Sequence, residues 1–130
     1  MRFLVDSDWV VDYLVGRLAA IDLIRELAPQ GIGISLITYG EVFEGIYYGR
    51  DPQGTEAALL GFLEGARVVP LTEAIMRRFA LIRGGLRRQG MIISDTDMLI
   101  AATALEHGSI LATRNVRDYA RIPGLQLLPS

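Results

Sequence analysis

Apolar residues along this chain fall into two rhythms: short unbroken runs, and longer segments spaced by three and four. Arg2–Asp6 is a run of branched and aromatic residues ending in an acid, which predicts a buried strand. Trp9, Val10, Tyr13 and Leu14 then recur at helical spacing; Gly16 interrupts, and Leu18–Ala28 resumes the helix with Ile21, Ile24, Leu27 and Ala28 on one side. Pro29-Gln30-Gly31 is a stop signal, Ile32–Ser35 reads as a second strand, and Ser35 is placed to cap a helix running to about Tyr48. Gly49–Gly54 predicts a turn, with a helix over about Thr55–Glu64 and a third strand at Arg67–Leu71. Thr72 and Glu73 open a long helix whose apolar stripe is Ile75, Phe79, Ile82 and Leu86. Asp95–His107 is apolar almost all round, which predicts a buried helix ended by Gly108. Ser109–Thr113 is a fourth strand, Asn115–Ala120 a helical turn and Leu125–Leu128 a fifth strand.

Short strands alternating with helices predict an α/β fold in three layers, α/β/α, around a central parallel sheet of four to five short strands. Such sheets carry their sites at the carboxyl ends of the strands, near a switch in strand order. At 130 residues we expect a single domain spanning 1–130.

Composition narrows the chemistry. The chain has no Cys and no Lys, and all thirteen basic residues are Arg. Thiol nucleophiles, Cys-ligated zinc, a phosphate loop of the Walker type and Schiff-base chemistry are thereby excluded. His107 is the sole histidine, so a multi-histidine metal site is excluded too. A catalytic reading must therefore rest on carboxylates, with a hard metal ion. A hydrophobic fraction of 51% points to a dense interior or a buried subunit interface, and no run is long enough to span a membrane. Asp6 follows the first apolar run too soon for a signal peptide, so we expect a cytoplasmic protein. A net charge of −2 argues against nonspecific coating of nucleic acid.

Four polar residues fall where the sheet's carboxyl edge is expected: Asp6 after strand one, Glu41 on the helix after strand two, Asp97 opening the buried helix, and Asn115 after strand four. Each has an ordinary reading. Asp6 can cap the following helix; Asp97, three residues after Ser94, fits a capping box; Asp95 reads as a cap or solvated residue. Glu41 lies off the apolar stripe Leu36, Tyr39, Phe43 and Ile46, so periodicity alone makes it exposed.

Four segments, FLVDSDWVVDYL, SLITYGEVFEGIYYG, SDTDMLIAATALEHG and ILATRNVRDYARIPGLQL, resemble in order those of VapC-type toxins of the PIN-domain ribonuclease family. The resemblance covers nearly the whole chain. Its most specific parts are Thr38-x-x-Glu41 followed by Gly45, and Asp97-x-x-Ile100-Ala101-Ala102. It implies a PIN-like fold and an endoribonuclease dependent on Mg²⁺ or Mn²⁺. Asp6, Glu41 and Asp97 correspond to the family's acidic metal-binding residues, and Asn115 to a fourth catalytic position where many members have an acid. Thr113 matches a commonly retained hydroxyl. Ser7-Asp8 stands where Thr-Asn is frequent, and with Asn115 at the fourth position either three acids suffice or Asp118 leans in. The implied partners are an RNA substrate, a small VapB-like antitoxin and a second copy of the chain.

Arginines are the candidates for holding RNA: Arg83 and Arg87 on the long helix, with Arg77 and Arg88 beside them, and Arg114 and Arg117 near the site. Their ordinary reading is solvated helix surface. Trp9, Tyr47, Tyr48 and Tyr119 are candidates for stacking on bases or for core and subunit packing. Two rival functions stand beside the nuclease. Asp6-Ser7-Asp8-Trp9-Val10 fits the opening of a haloacid-dehalogenase-like phosphatase, although that site normally recruits a Lys. A PIN-like domain can also be a non-catalytic RNA- or protein-binding module.

Overall fold

A computed structural model describes residues 1–128. Its five strands are β1 (Phe3–Val5), β2 (Ile32–Ser35), β3 (Ala66–Val69), β4 (Ile110–Ala112) and β5 (Leu127–Leu128). They form one parallel sheet in the order β3-β2-β1-β4-β5. Seven α-helices accompany them: α1 (Ser7–Leu14), α2 (Leu18–Leu27), α3 (Leu36–Tyr47), α4 (Pro52–Leu63), α5 (Glu73–Arg88), α6 (Asp95–His107) and α7 (Val116–Tyr119).

Alternation along the strands divides the interior in two. In β1, Leu4 joins Leu111 in a core built with α5, α6 and α7, while Phe3 and Val5 point the other way into a core with α1 to α4. Both faces are covered, which is why the strands read as continuous apolar runs rather than as alternating ones. The three-layer expectation is met.

Local signals set most boundaries. Asp95–His107 is helical as expected and ends on Gly108 in the left-handed conformation, φ +61°. Two boundaries differ from expectation for identifiable reasons. The helix expected from Thr55 starts at Pro52, because Asp51 accepts a hydrogen bond from the Gly54 amide (3.1 Å) and Pro52 needs no amide partner in the first turn. Strand β3 stops at Val69 because Pro70 has no N–H to offer its neighbour.

Helix α3 departs further. Its buried face is Thr38, Val42 and Ile46, whereas Leu36 is exposed and Tyr39 and Phe43 are only half-buried. The threonine is admitted to the core because its amide and hydroxyl both engage the Ser35 side chain, at 3.0 and 3.2 Å. That rotation aims the next turn, and with it Glu41, at the sheet's carboxyl edge. Among the described residues no helix is long and apolar enough to cross a membrane.

Candidate active site

Strand β1 is central, and the chain leaves it in one direction to β2 and β3 and in the other to β4 and β5. The crevice at the carboxyl ends of β1 and β4 is therefore the switch point where open α/β sheets bind ligands. Asp6 sits there, its amide extending the ladder to the Ala112 carbonyl at 2.9 Å.

The Asp6 side chain is 5% exposed. One carboxylate oxygen accepts from the Ser7 amide at 2.8 Å and the other from the Thr113 hydroxyl at 2.7 Å. Asp6 is thus both the cap of α1 and a member of a polar cluster; its two sequence readings are compatible. Burial pushes its pKa up to about 6 by disfavouring the charged form. The bonds from Thr113 and Ser7 pull it down, and the neighbouring charges of Asp8 and Asp97 push it up.

From Asp6 the network continues across the sheet edge. Thr113 Oγ1 accepts from the Asn115 amide at 3.0 Å. The Asn115 side-chain amide donates to Asp97 Oδ2 and to Asp118 Oδ2, both at 3.2 Å. Of the two alternatives at the fourth position, Asp118 leans in, because Asn115 is the N-cap of α7 and one turn brings the two together. Tyr119 donates its hydroxyl to Asp97 Oδ1 at 3.2 Å. Its ring is fully buried, so it is no platform for bases, and burial followed by the charges of Asp6 and Asp97 drives its pKa upward. It stays a proton donor. Ser94 caps α6 through the Asp97 amide at 3.2 Å, yet the Asp97 carboxylate turns to Asn115 and Tyr119. Only half of the capping box forms.

Glu41 joins from the other side. Ser7 Oγ donates to Glu41 Oε1 at 2.6 Å and lies 3.3 Å from Thr38 Oγ1. Glu41 is solvent-exposed, as periodicity predicts, but at the site rather than away from it. Asp6, Glu41, Asp97 and Asn115 are thus connected through Ser7 and Thr113. Ser7 and Tyr119 are the members whose hydrogen-bonding roles sequence reasoning did not assign; Tyr119 carried one usable signal, its position four residues after Asn115 on a helical turn.

None of the three acids is paired with an arginine among the described residues. Clustered, partly desolvated and uncompensated carboxylates are the donor set of a hard divalent cation. No three acidic or histidine side chains among the described residues already stand within ligating range of one point. Such ions keep several waters, so a site of this kind needs only two or three carboxylates as protein anchors.

The arginines divide. Arg83 is engaged by Asp95 at 2.9 Å, which also removes Asp95 from the cluster. Arg114 is held by Asp12 and lies over the Trp9 ring. Arg87 and Arg117 are exposed and make no ion pair among the described residues. Tyr47 and Tyr48 are largely exposed, and His107 lies in the exposed last turn of α6. Asp8, which a phosphatase would need as an acid beside the substrate, instead accepts from the Trp9 and Arg114 amides at 2.7 and 2.9 Å.

Comparison with known proteins bears on the family and the fold. The family model described as PIN domain matches residues 3–125. The chain is 26% identical over 126 residues to a tRNA(fMet)-specific endonuclease VapC from Shigella flexneri, covering 97% of this chain and 96% of the relative. A toxin–antitoxin complex from Klebsiella pneumoniae contains a chain 31% identical, with a TM-score of 0.75 and coverage of 94% and 93%. VapBC2 from Rickettsia felis, solved bound to a DNA fragment from its promoter, shares the fold with a TM-score of 0.91 at 24% identity, covering 98% of each chain.

Proposed function

The chain belongs to the PIN-domain family, and on that premise we propose that it is an endoribonuclease, dependent on Mg²⁺ or Mn²⁺, acting as the toxin of a toxin–antitoxin pair. The observation that carries the reading is the continuous network Glu41–Ser7–Asp6–Thr113–Asn115–Asp97–Tyr119 at the switch point of the sheet. A non-catalytic binding module has no use for two buried or half-buried carboxylates left without a counter-charge, since their mutual repulsion costs stability.

Asp6 and Asp97 would hold the cation, with Glu41 as an outer donor. When bound, a divalent ion lowers the pKa of a water and stabilises charge developing on the phosphodiester and its leaving oxygen. The chain's own residues do the rest. Asn115 and Tyr119 place one donor on each oxygen of Asp97 and so fix its orientation. Thr113 does the same for Asp6. Glu41, exposed and polarised by the short bond from Ser7, is the group placed to take a proton from an attacking water. Arg117 and Arg87 are free to pair with backbone phosphates, Arg83 only by leaving Asp95.

RNA is assigned as substrate because the relatives are named as ribonucleases and a tRNA endonuclease. A VapB-like antitoxin is assigned as partner because the similar structures are of toxin–antitoxin complexes. Such a partner and a second copy of the chain would cover exposed apolar side chains such as Val15, Leu18, Tyr48 and Leu81. The test is incubation of the purified protein with structured RNAs in Mg²⁺ or Mn²⁺, then in EDTA. Cleavage that persists in EDTA, or survives Asp6→Asn, would defeat the assignment.

A further inference from the structure

Arg114 stands between the two residues that hold the acids, Thr113 on Asp6 and Asn115 on Asp97. Its guanidinium centre lies 3.9 Å from the centroid of the Trp9 ring, a stacked cation–π geometry. The pair is fixed from several directions. Asp12 accepts from Arg114 Nη1 and is itself held by Arg17 Nε at 3.3 Å. Asp8 accepts from the amides of both stacked residues, Trp9 at 2.7 Å and Arg114 at 2.9 Å. The Arg114 side chain nevertheless remains 42% exposed. The guanidinium thus lies over the indole and is tied to Asp12, while part of the side chain stays open to solvent.

A phosphate is a poor occupant there. The arginine's charge is already balanced by Asp12, and an incoming anion would also meet the carboxylate of Asp8. A flat, weakly polar ring needs no counter-charge, and guanidinium planes serve as stacking surfaces for unpaired bases. Holding the plane in advance removes the ordering cost of binding. We propose that the Trp9–Arg114 stack is a platform for one unpaired nucleobase of the RNA, next to the phosphodiester presented to the acids. This rests on the ribonuclease reading and assigns Arg114 a role opposite to that of a phosphate clamp.

Trp9 is the sole tryptophan in the chain, so its emission reports directly on the platform. The experiment titrates the full chain in EDTA with a short single-stranded oligoribonucleotide and with a ribose-phosphate strand of equal length lacking bases. Gels verify that both stay intact. We expect the base-bearing strand to bind roughly tenfold more tightly and to perturb Trp9 emission, the effect of one base stack. Arg114→Lys, which keeps the charge and loses the plane, should bring the base-bearing strand down to the affinity of the baseless one and leave the latter unchanged. Equal binding of both strands by the unmodified protein overturns the proposal. So does a preference retained in Arg114→Lys, or a loss shared equally by both strands, which marks a phosphate contact. If neither strand binds at all, the ribonuclease reading fails first and takes this one with it.

Discussion

The two flanks of the acid cluster are built differently. On the α6–α7 flank, Asp97 is half-buried and receives two donors from side chains eighteen and twenty-two residues away. On the α1–α3 flank, Glu41 is open to solvent and receives a single hydroxyl. Asp6 lies between them, more buried than either. A carboxylate held by donors on both oxygens is fixed in direction, which suits an anchor. One that is wet and singly held can move, which suits proton transfer. The contrast separates roles that a bare list of acids does not.

Substituting the anchors should have the largest effect. Asp6→Asn and Asp97→Asn are expected to reduce RNA cleavage to background, while Glu41→Gln, on the wet flank, should leave residual turnover with a changed pH profile. Single-turnover cleavage assays in Mn²⁺ would measure all three. Equal loss in all three, with no change of pH profile, would erase the distinction between flanks.

Acidity comes next. The folded-state pKa of Asp6, about 6, stands above its ordinary 3.8, so the metal-free folded chain binds this proton more tightly than the unfolded chain. The group's contribution is therefore most favourable below about pH 4 and declines as pH rises to about 6. Above that it is constant. Asp6→Asn removes this penalty, so the variant should gain stability over the parent across pH 4 to 6, levelling above 6 at on the order of 1–3 kcal/mol. Denaturant melts in EDTA would show it. A cation has to displace the same proton, so Mn²⁺ affinity should fall about tenfold for each pH unit below 6. An affinity independent of pH from 5 to 7 would contradict the burial of Asp6.

A smaller effect is expected at Tyr119. Tyr119→Phe keeps the ring in the core and deletes only the bond to Asp97, so the fold should persist while Mn²⁺ affinity drops roughly 10- to 100-fold. Titration calorimetry on the purified protein measures this without reference to activity. Unchanged affinity would mean that Asn115 alone orients Asp97.

How far these features could be read in advance depends on how local their causes are. Ile32–Ser35 and Asp95–His107 were legible because runs, caps and a terminal glycine all agree over a few residues. Asp6 and Asp97 were legible as strand-end and helix-start acids. Glu41 was legible from its place after strand two and from the family resemblance but not from periodicity, which assigns the core face from apolar residues, whereas α3 turns on Thr38, a polar residue made acceptable by Ser35. Tyr119 was hidden by being a plausible core aromatic, which it also is. The ties of Arg114 to Asp8 and Asp12 join residues more than a hundred positions apart, and no local pattern announces such pairs.

Two hydroxyl-to-carboxylate bonds of nearly equal length supply the finest test of the flanks. Thr113 reaches Asp6 at 2.7 Å inside the protein, and Ser7 reaches Glu41 at 2.6 Å in contact with water. If length decided their worth, removing either would cost the same. Removing the buried donor leaves a desolvated carboxylate that water cannot reach, which typically costs about 1.5–3 kcal/mol. Thr113→Val should therefore destabilise the fold by that amount and push the pKa of Asp6 higher still. Ser7→Ala exposes Glu41 to a water that takes the hydroxyl's place, so its cost should stay below about 1 kcal/mol. Its cleavage rate should fall by less than about tenfold, because Glu41 keeps its charge and loses only its orientation. Parallel melts and rates for the two variants give the ratio. A Ser7→Ala penalty equal to that of Thr113→Val would mean the Glu41 flank is closed to solvent, and the division of labour between anchor and base would have to be redrawn.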